Sequence, residues 1–144
     1  MKRIVKIILA IGLVFILTGC GKSYEKLSYT DYQEYFNKKD GYIILNKTSN
    51  YDIQIRRYYE AGDGNVQIYY IEYAKEEDAI DYIKNTYNNL EGYKVKLKDN
   101  YSYVKSTKDK YQKIYRVDNV IINALSLDKK YKKDINNILK DLGY

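Results

Sequence analysis

The sequence predicts an α+β domain, a two-layer fold in which an antiparallel sheet of about six or seven strands carries three helices in the order α-βββ-α-βββ(β)-α. Three observations predict it. Apolar residues recur at helical spacing in three separate stretches, and the intervals between them alternate apolar with polar residues. Short turn signals join the alternating runs, so consecutive strands reverse direction.

The elements follow in chain order. Thr30-Asp31-Tyr32-Gln33 has the form of a capping box, and Tyr32, Tyr35 and Phe36 then share one face. This predicts a first helix over about 30–40, stopped by Lys38, Lys39 and Gly41. The segment 42–45 reads as a buried strand. Tyr51, Ile53 and Ile55 alternate with Asp52, Gln54 and Arg56, the pattern of a second strand with one wet face. Gly62-Asp63-Gly64-Asn65 is a turn, and 66–73 returns as a third strand. Glu76, Glu77 and Asp78 open the second helix, where carboxylates favour the positive end of the macrodipole; Ile80, Ile83, Tyr87 and Leu90 form its apolar stripe. Tyr93, Val95 and Leu97 alternate with Lys94, Lys96 and Lys98, and 101–104 adds a further strand. Asp118-Asn119 separates two apolar runs, 111–117 and 120–125, as a two-residue hairpin turn whose residues tolerate positive φ. Tyr131, Ile135, Ile138 and Leu142 give the last helix.

Gly-Tyr occurs at 41–42, 92–93 and 143–144, at a constant spacing of 51 residues. One reading is an internal duplication, two βββα halves about a pseudo-twofold axis. The other is that glycine is the usual helix stop and tyrosine is abundant in this chain.

The first twenty residues have a different organisation. MKRIVK is basic, IILAIGLVFIL is apolar, and TGC follows, the order of a secretory signal. The apolar run is about half the roughly 20 residues needed to cross a bilayer. Leu17-Thr18-Gly19-Cys20 resembles the lipobox of bacterial lipoproteins. That resemblance implies a diacylglyceryl group on the Cys20 sulfur, cleavage between Gly19 and Cys20, and Cys20 as the mature N-terminus. The chain then divides into a signal peptide over 1–19, a lipidated N-terminus and short tether over 20–28, and a single domain over 29–144. Eight to ten residues separate Cys20 from the first helical signal and reach no more than about 35 Å, which places partners near the membrane. The stretch 111–144, with IYRVDNVII and KKYKKDINNILKDLGY, is similar to the end of small lipoproteins of low-GC Gram-positive bacteria, which implies the same helix and strand order and no particular activity.

Composition narrows the chemistry. Cys20 is the one cysteine of the chain, so lipidation leaves no thiol for a disulfide, a metal or catalysis. There is no histidine, which removes Ser-His-Asp and Cys-His catalysis and the usual zinc ligands. No cofactor or metal is expected. Without Lys2, Arg3 and Lys6 of the leader, 22 basic residues face 19 acidic ones, too mild a balance to indicate nucleic acid. Twenty tyrosines against two phenylalanines suit a stacking surface, although AT-rich codons enrich Lys, Asn, Ile and Tyr together.

Candidate partner-binding residues are the scarce arginines, Arg56, Arg57 and Arg116, and the lysines Lys129, Lys130, Lys132 and Lys133 that crowd the start of the last helix. There they oppose the helix dipole, a cost that anionic headgroups or wall polymer would offset. The leading expectation is a non-catalytic lipoprotein on the outer face of the cell membrane, binding a membrane-proximal envelope protein or an anionic wall polymer. The alternative is a small-ligand receptor or a hydrolase using carboxylates, with Glu60 and Asp63 or Glu72 and Glu76 as the pair.

Overall fold

The computed structural model describes residues 24–50 and 53–144. Three helices, α1 (Tyr29–Asn37), α2 (Glu76–Tyr87) and α3 (Lys132–Asp141), surround one seven-stranded sheet. Its strands are β1 (Ile43–Asn46), β2 (Ile55–Gly62), β3 (Gln67–Tyr73), β4 (Tyr93–Leu97), β5 (Tyr101–Ser106), β6 (Tyr111–Val117) and β7 (Val120–Ser126). All neighbours are antiparallel, in the order β1-β2-β3-β7-β6-β5-β4. The α+β class and the element order are those the sequence predicts.

The layering differs from the expectation. Tyr32 and Phe36 of α1 and Ile135, Ile138 and Leu139 of α3 pack with Ile68, Tyr70, Ile122 and Ala124. Ala79, Ile83 and Tyr87 of α2 pack with the alternate residues Ile71, Tyr73 and Ile121. Side chains two apart share a face and neighbours oppose, so the sheet lies between α1 and α3 on one side and α2 on the other. There are three layers, not two, because β3 and β7 are apolar on both faces and each face needs cover.

This also decides the 51-residue spacing. A dyad relating the antiparallel neighbours β3 and β7 runs perpendicular to the sheet and keeps each helix on the same face. The helices that follow those strands, α2 and α3, lie on opposite faces. The halves are therefore not pseudo-symmetric. Gly41, Gly92 and Gly143 take φ of +81°, +81° and +93°, the left-handed geometry that terminates the chain path after each helix.

Local corrections have local causes. The α1 cap is Ser28, whose Oγ accepts from the Asp31 backbone N–H at 3.1 Å, so the helix starts two residues before the predicted box at Thr30. The strand expected to be buried, β1, is an edge strand with Ile43 67% and Leu45 47% exposed. Ile53, read as a strand residue, lies in a turn and is 95% exposed; β2 begins at Ile55, and Tyr51 and Asp52 lie outside the described residues. Leu90 lies beyond the end of α2 and is 49% exposed, while Ala79 takes the buried place on that helix. The β6–β7 turn is as predicted: Asp118 has φ +50°, and Asn119 Nδ2 donates to the Tyr73 carbonyl at 2.7 Å, fixing the turn to the end of β3.

Residues 24–28 are not free tether. Tyr24 packs on Tyr101, Tyr115 and Tyr144 with ring centroids 5.1–5.9 Å apart. Tyr144 Oη accepts from Leu27 N–H and donates to the Glu25 carbonyl, both at 3.3 Å. Tyr70 Oη donates to the Leu27 carbonyl at 3.4 Å. The start of the described chain and its last residue are thus bound together over the face that carries α1 and α3.

Candidate functional site

Gly19 and Cys20, the predicted cleavage and lipidation residues, lie outside the described residues. Among the described residues no helix is long and apolar enough to cross a membrane.

The three mature arginines have different surroundings. Arg116, on β6, is wholly buried. Its Nε donates to Ser102 Oγ at 3.1 Å, Nη1 to Glu76 Oε1 at 2.9 Å and the Asp118 carbonyl at 3.0 Å, and Nη2 to the Lys98 and Asp99 carbonyls at 2.8 and 3.3 Å. These use all five guanidinium protons. Arg116 joins the β4–β5 turn, the β6–β7 turn and the first turn of α2, so the candidate role in partner binding is replaced by an internal one. Arg57 stands opposite Glu72 on β3, forms an ion pair with it, and lies 5.5 Å from the Tyr29 ring. The hydrogen bond to Glu72, ahead of its charge, raises the Arg57 pKa further. Arg56 is exposed where the β2–β3 register shifts by a residue.

The lysine cluster divides as well. Lys129 and Lys130 belong to a 3-10 turn before α3, which Asp128 caps by accepting from the Lys130 N–H at 2.9 Å. Lys130 also pairs with Asp128 at 3.0 Å, and these bonds hold the Asp128 carboxyl below its ordinary range. Lys129 is 4.0 Å from Asp109. Lys132 and Lys133 open α3; both are exposed, and Lys132 Nζ sits 5.7 Å from the Tyr111 ring.

Each nominated carboxylate has a partner of its own. Glu60 pairs with Lys47 at 2.9 Å, Glu72 with Arg57 and Glu76 with Arg116. Asp63 accepts the Asn65 and Val66 N–H groups at 2.8 Å and so shapes the β2–β3 turn. Among the described residues no group of three or more His, Cys, Asp or Glu is placed to hold a metal ion. A cleft of about 620 Å³ lies between residues 25–27, α1 and the end of α3, where Tyr35 Oη donates to Asp141 Oδ2 at 3.0 Å.

Two surfaces that individual residues did not reveal are assembled by the sheet. On the face carrying α2, the cross-strand rows Ile43–Gly62–Gln67–Leu125 and Leu45–Glu60–Tyr69–Asn123 run from the β1 edge to β7 with partly exposed side chains. These rows place exposed aliphatics beside half-buried tyrosines on a strand edge that is unpaired among the described residues. On the opposite face, β4, β5 and β6 carry lysines in register: Lys94 pairs with Lys105, and Lys105 with Lys113. The alternation at 93–97 already shows Lys94 and Lys96 on one side, but the strand order that adds Lys105 and Lys113 is not contained in that pattern.

Comparison with protein families, with curated proteins and with solved structures finds no match for this chain.

Proposed function

We propose that this chain is a non-catalytic bacterial lipoprotein, anchored through Cys20 to the outer face of the cell membrane, whose domain binds a membrane-proximal envelope protein through its β1 edge. The observation that carries the protein-binding part is the exposure of Ile43 and Leu45 on a four-residue edge strand whose outer side has no pairing strand among the described residues. An added strand from a partner would satisfy that edge, and the alternate side chains Ile43 and Leu45 would give it apolar contact. The anchor rests on the leader and the box at 17–20. The docked segment at 24–28 supports membrane proximity: only residues 21–23 separate Cys20 from Tyr24, so the link spans no more than about 14 Å.

The test is photocrosslinking in intact cells from a probe at position 45, read by mass spectrometry after detergent extraction. One recurrent envelope protein is expected. Its recovery should drop sharply in the Cys20→Ala background, which should also take up no labelled fatty acid. Adducts no different from those of a probe at position 84, on α2, would overturn the β1-edge assignment. Equal fatty-acid labelling with and without Cys20 would overturn the anchor.

A further inference from the structure

Strands β4, β5 and β6 contain no aspartate or glutamate, and Lys94, Lys96, Lys105 and Lys113 fall on one face of them. Like charges directly opposite each other in a sheet repel, yet Lys94, Lys105 and Lys113 form an unbroken cross-strand row. Among the described residues no carboxylate pairs with Lys94, Lys96 or Lys105, whereas Lys38, Lys47, Lys84 and Lys130 each have one. The next row is aromatic: Lys96 stands opposite Tyr103, and Tyr103 opposite Tyr115. Lys96 Nζ lies 5.9 Å from the Tyr101 ring. The half-buried Tyr101 and Tyr103 beside the exposed Lys94 and Lys96 and the half-buried Lys105, with no carboxylate on these strands, match the chemistry of an anionic headgroup layer, where the rings sit at the interface and the charges meet phosphate.

The chain path supplies the second argument. Tyr24 packs on Tyr101 and Tyr115, at the edge of this surface, and lies four residues from Cys20. An anchor at Cys20 therefore holds Tyr24, at the edge of the lysine face, within about 14 Å of the bilayer, on the scale of the roughly 8 Å over which an anionic surface attracts charge at physiological salt. We propose that the Lys94, Lys96, Lys105 and Lys113 surface lies against anionic phospholipid headgroups of the membrane that holds Cys20. The proposal rests on the lipid-anchor reading and adds an orientation to it: this part of the α1 and α3 face turns toward the bilayer, which leaves the β1 edge at the far end of the sheet open to a partner.

The test uses the lipidated protein purified from cells and reconstituted into phosphatidylglycerol-rich or phosphatidylcholine vesicles, with amine-reactive labelling read lysine by lysine. In phosphatidylglycerol, Lys94, Lys96 and Lys105 should label at least about fivefold more slowly than in phosphatidylcholine, the factor that one lysine at an anionic surface is worth. Lys84, on the other side of the sheet, should label alike in both, and high salt should remove the difference. The double variant Lys94→Glu, Lys96→Glu, both exposed positions, should return Lys105 to its phosphatidylcholine rate while keeping the same circular dichroism. Equal labelling of an acylated protein in the two lipids would overturn the surface and leave the anchor standing. Protection in phosphatidylcholine only after anionic wall polymer is added would overturn it in favour of the polymer. An intact mass without acyl chains would remove the anchor and the orientation with it.

Discussion

Arg116 shows what a scarce residue type can and cannot signal. Few arginines in a lysine-rich chain suggest a geometry that lysine cannot supply, and that inference holds; the expectation that the geometry serves a partner does not. Its acceptors are carbonyls at 98, 99 and 118 with Ser102 and Glu76, groups brought together by the sheet order and invisible as a motif. Arg116→Ala should cost about 3–5 kcal/mol, because it strips buried acceptors of their donors. Arg116→Lys should recover little of this, since an ammonium has three protons for five acceptors. Glu76→Gln should cost less than Arg116→Ala, because the amide oxygen can still accept from Nη1 and Glu76 is itself 41% exposed, so that only the charge on one side of the pair is lost. Urea unfolding of the three variants checks this order, and a Glu76→Gln loss equal to that of Arg116→Ala would contradict it.

At the scale of elements, the ends of α1 offer a clean comparison. Ser28 and Thr30 both stand three residues before a side chain able to complete a capping box, and sequence spacing alone does not choose between them. The fold chooses Ser28: its hydroxyl accepts from the Asp31 N–H and donates to Asp31 Oδ2 at 2.5 Å. Ser28→Ala should cost about 1 kcal/mol, and Thr30→Ala less than about 0.5 kcal/mol, measured by thermal or urea unfolding. Equal losses would mean that the cap is not where the hydrogen bonds place it. Most elements were legible because their periodicity is local: the stripe of α3, the acidic start of α2 and the Asp118-Asn119 turn each lie within a few residues. What periodicity misses is depth in the sheet. The 42–45 run is apolar enough for a central strand yet becomes an edge, while the unbroken Val120-Ile121-Ile122 run does mark a strand covered on both faces, the pattern that signals a third layer.

At the scale of the molecule, tyrosine does the work that phenylalanine and leucine do in other cores. Tyr32, Tyr70, Tyr87 and Tyr115 are buried, and Tyr32 Oη donates to the Ile68 carbonyl at 2.7 Å, so phenol hydroxyls enter the interior with partners. The abundance was plain in the sequence, but whether the rings formed a binding surface or a core depended on which sheet face each occupied. Burial makes these phenols hard to ionise. Tyr35 is pushed up to about 12, by burial first and then by its hydrogen bond to Asp141, and Tyr144 to about 12, chiefly by burial. Tyr32, Tyr70 and Tyr87 are raised further, again mainly by burial. In the unfolded chain a tyrosine loses its proton near pH 10. Below that pH both states keep it and stability does not depend on these groups; above it the unfolded chain alone releases protons, so each unit of pH favours unfolding. Stability should therefore fall steadily from about pH 10 toward 12, and phenolate absorbance should rise together with the loss of far-ultraviolet circular dichroism in one cooperative step. If nearly all twenty phenols ionised near pH 10 while the dichroism stayed native, the tyrosines would be solvated. The core described here would then be wrong in its main component.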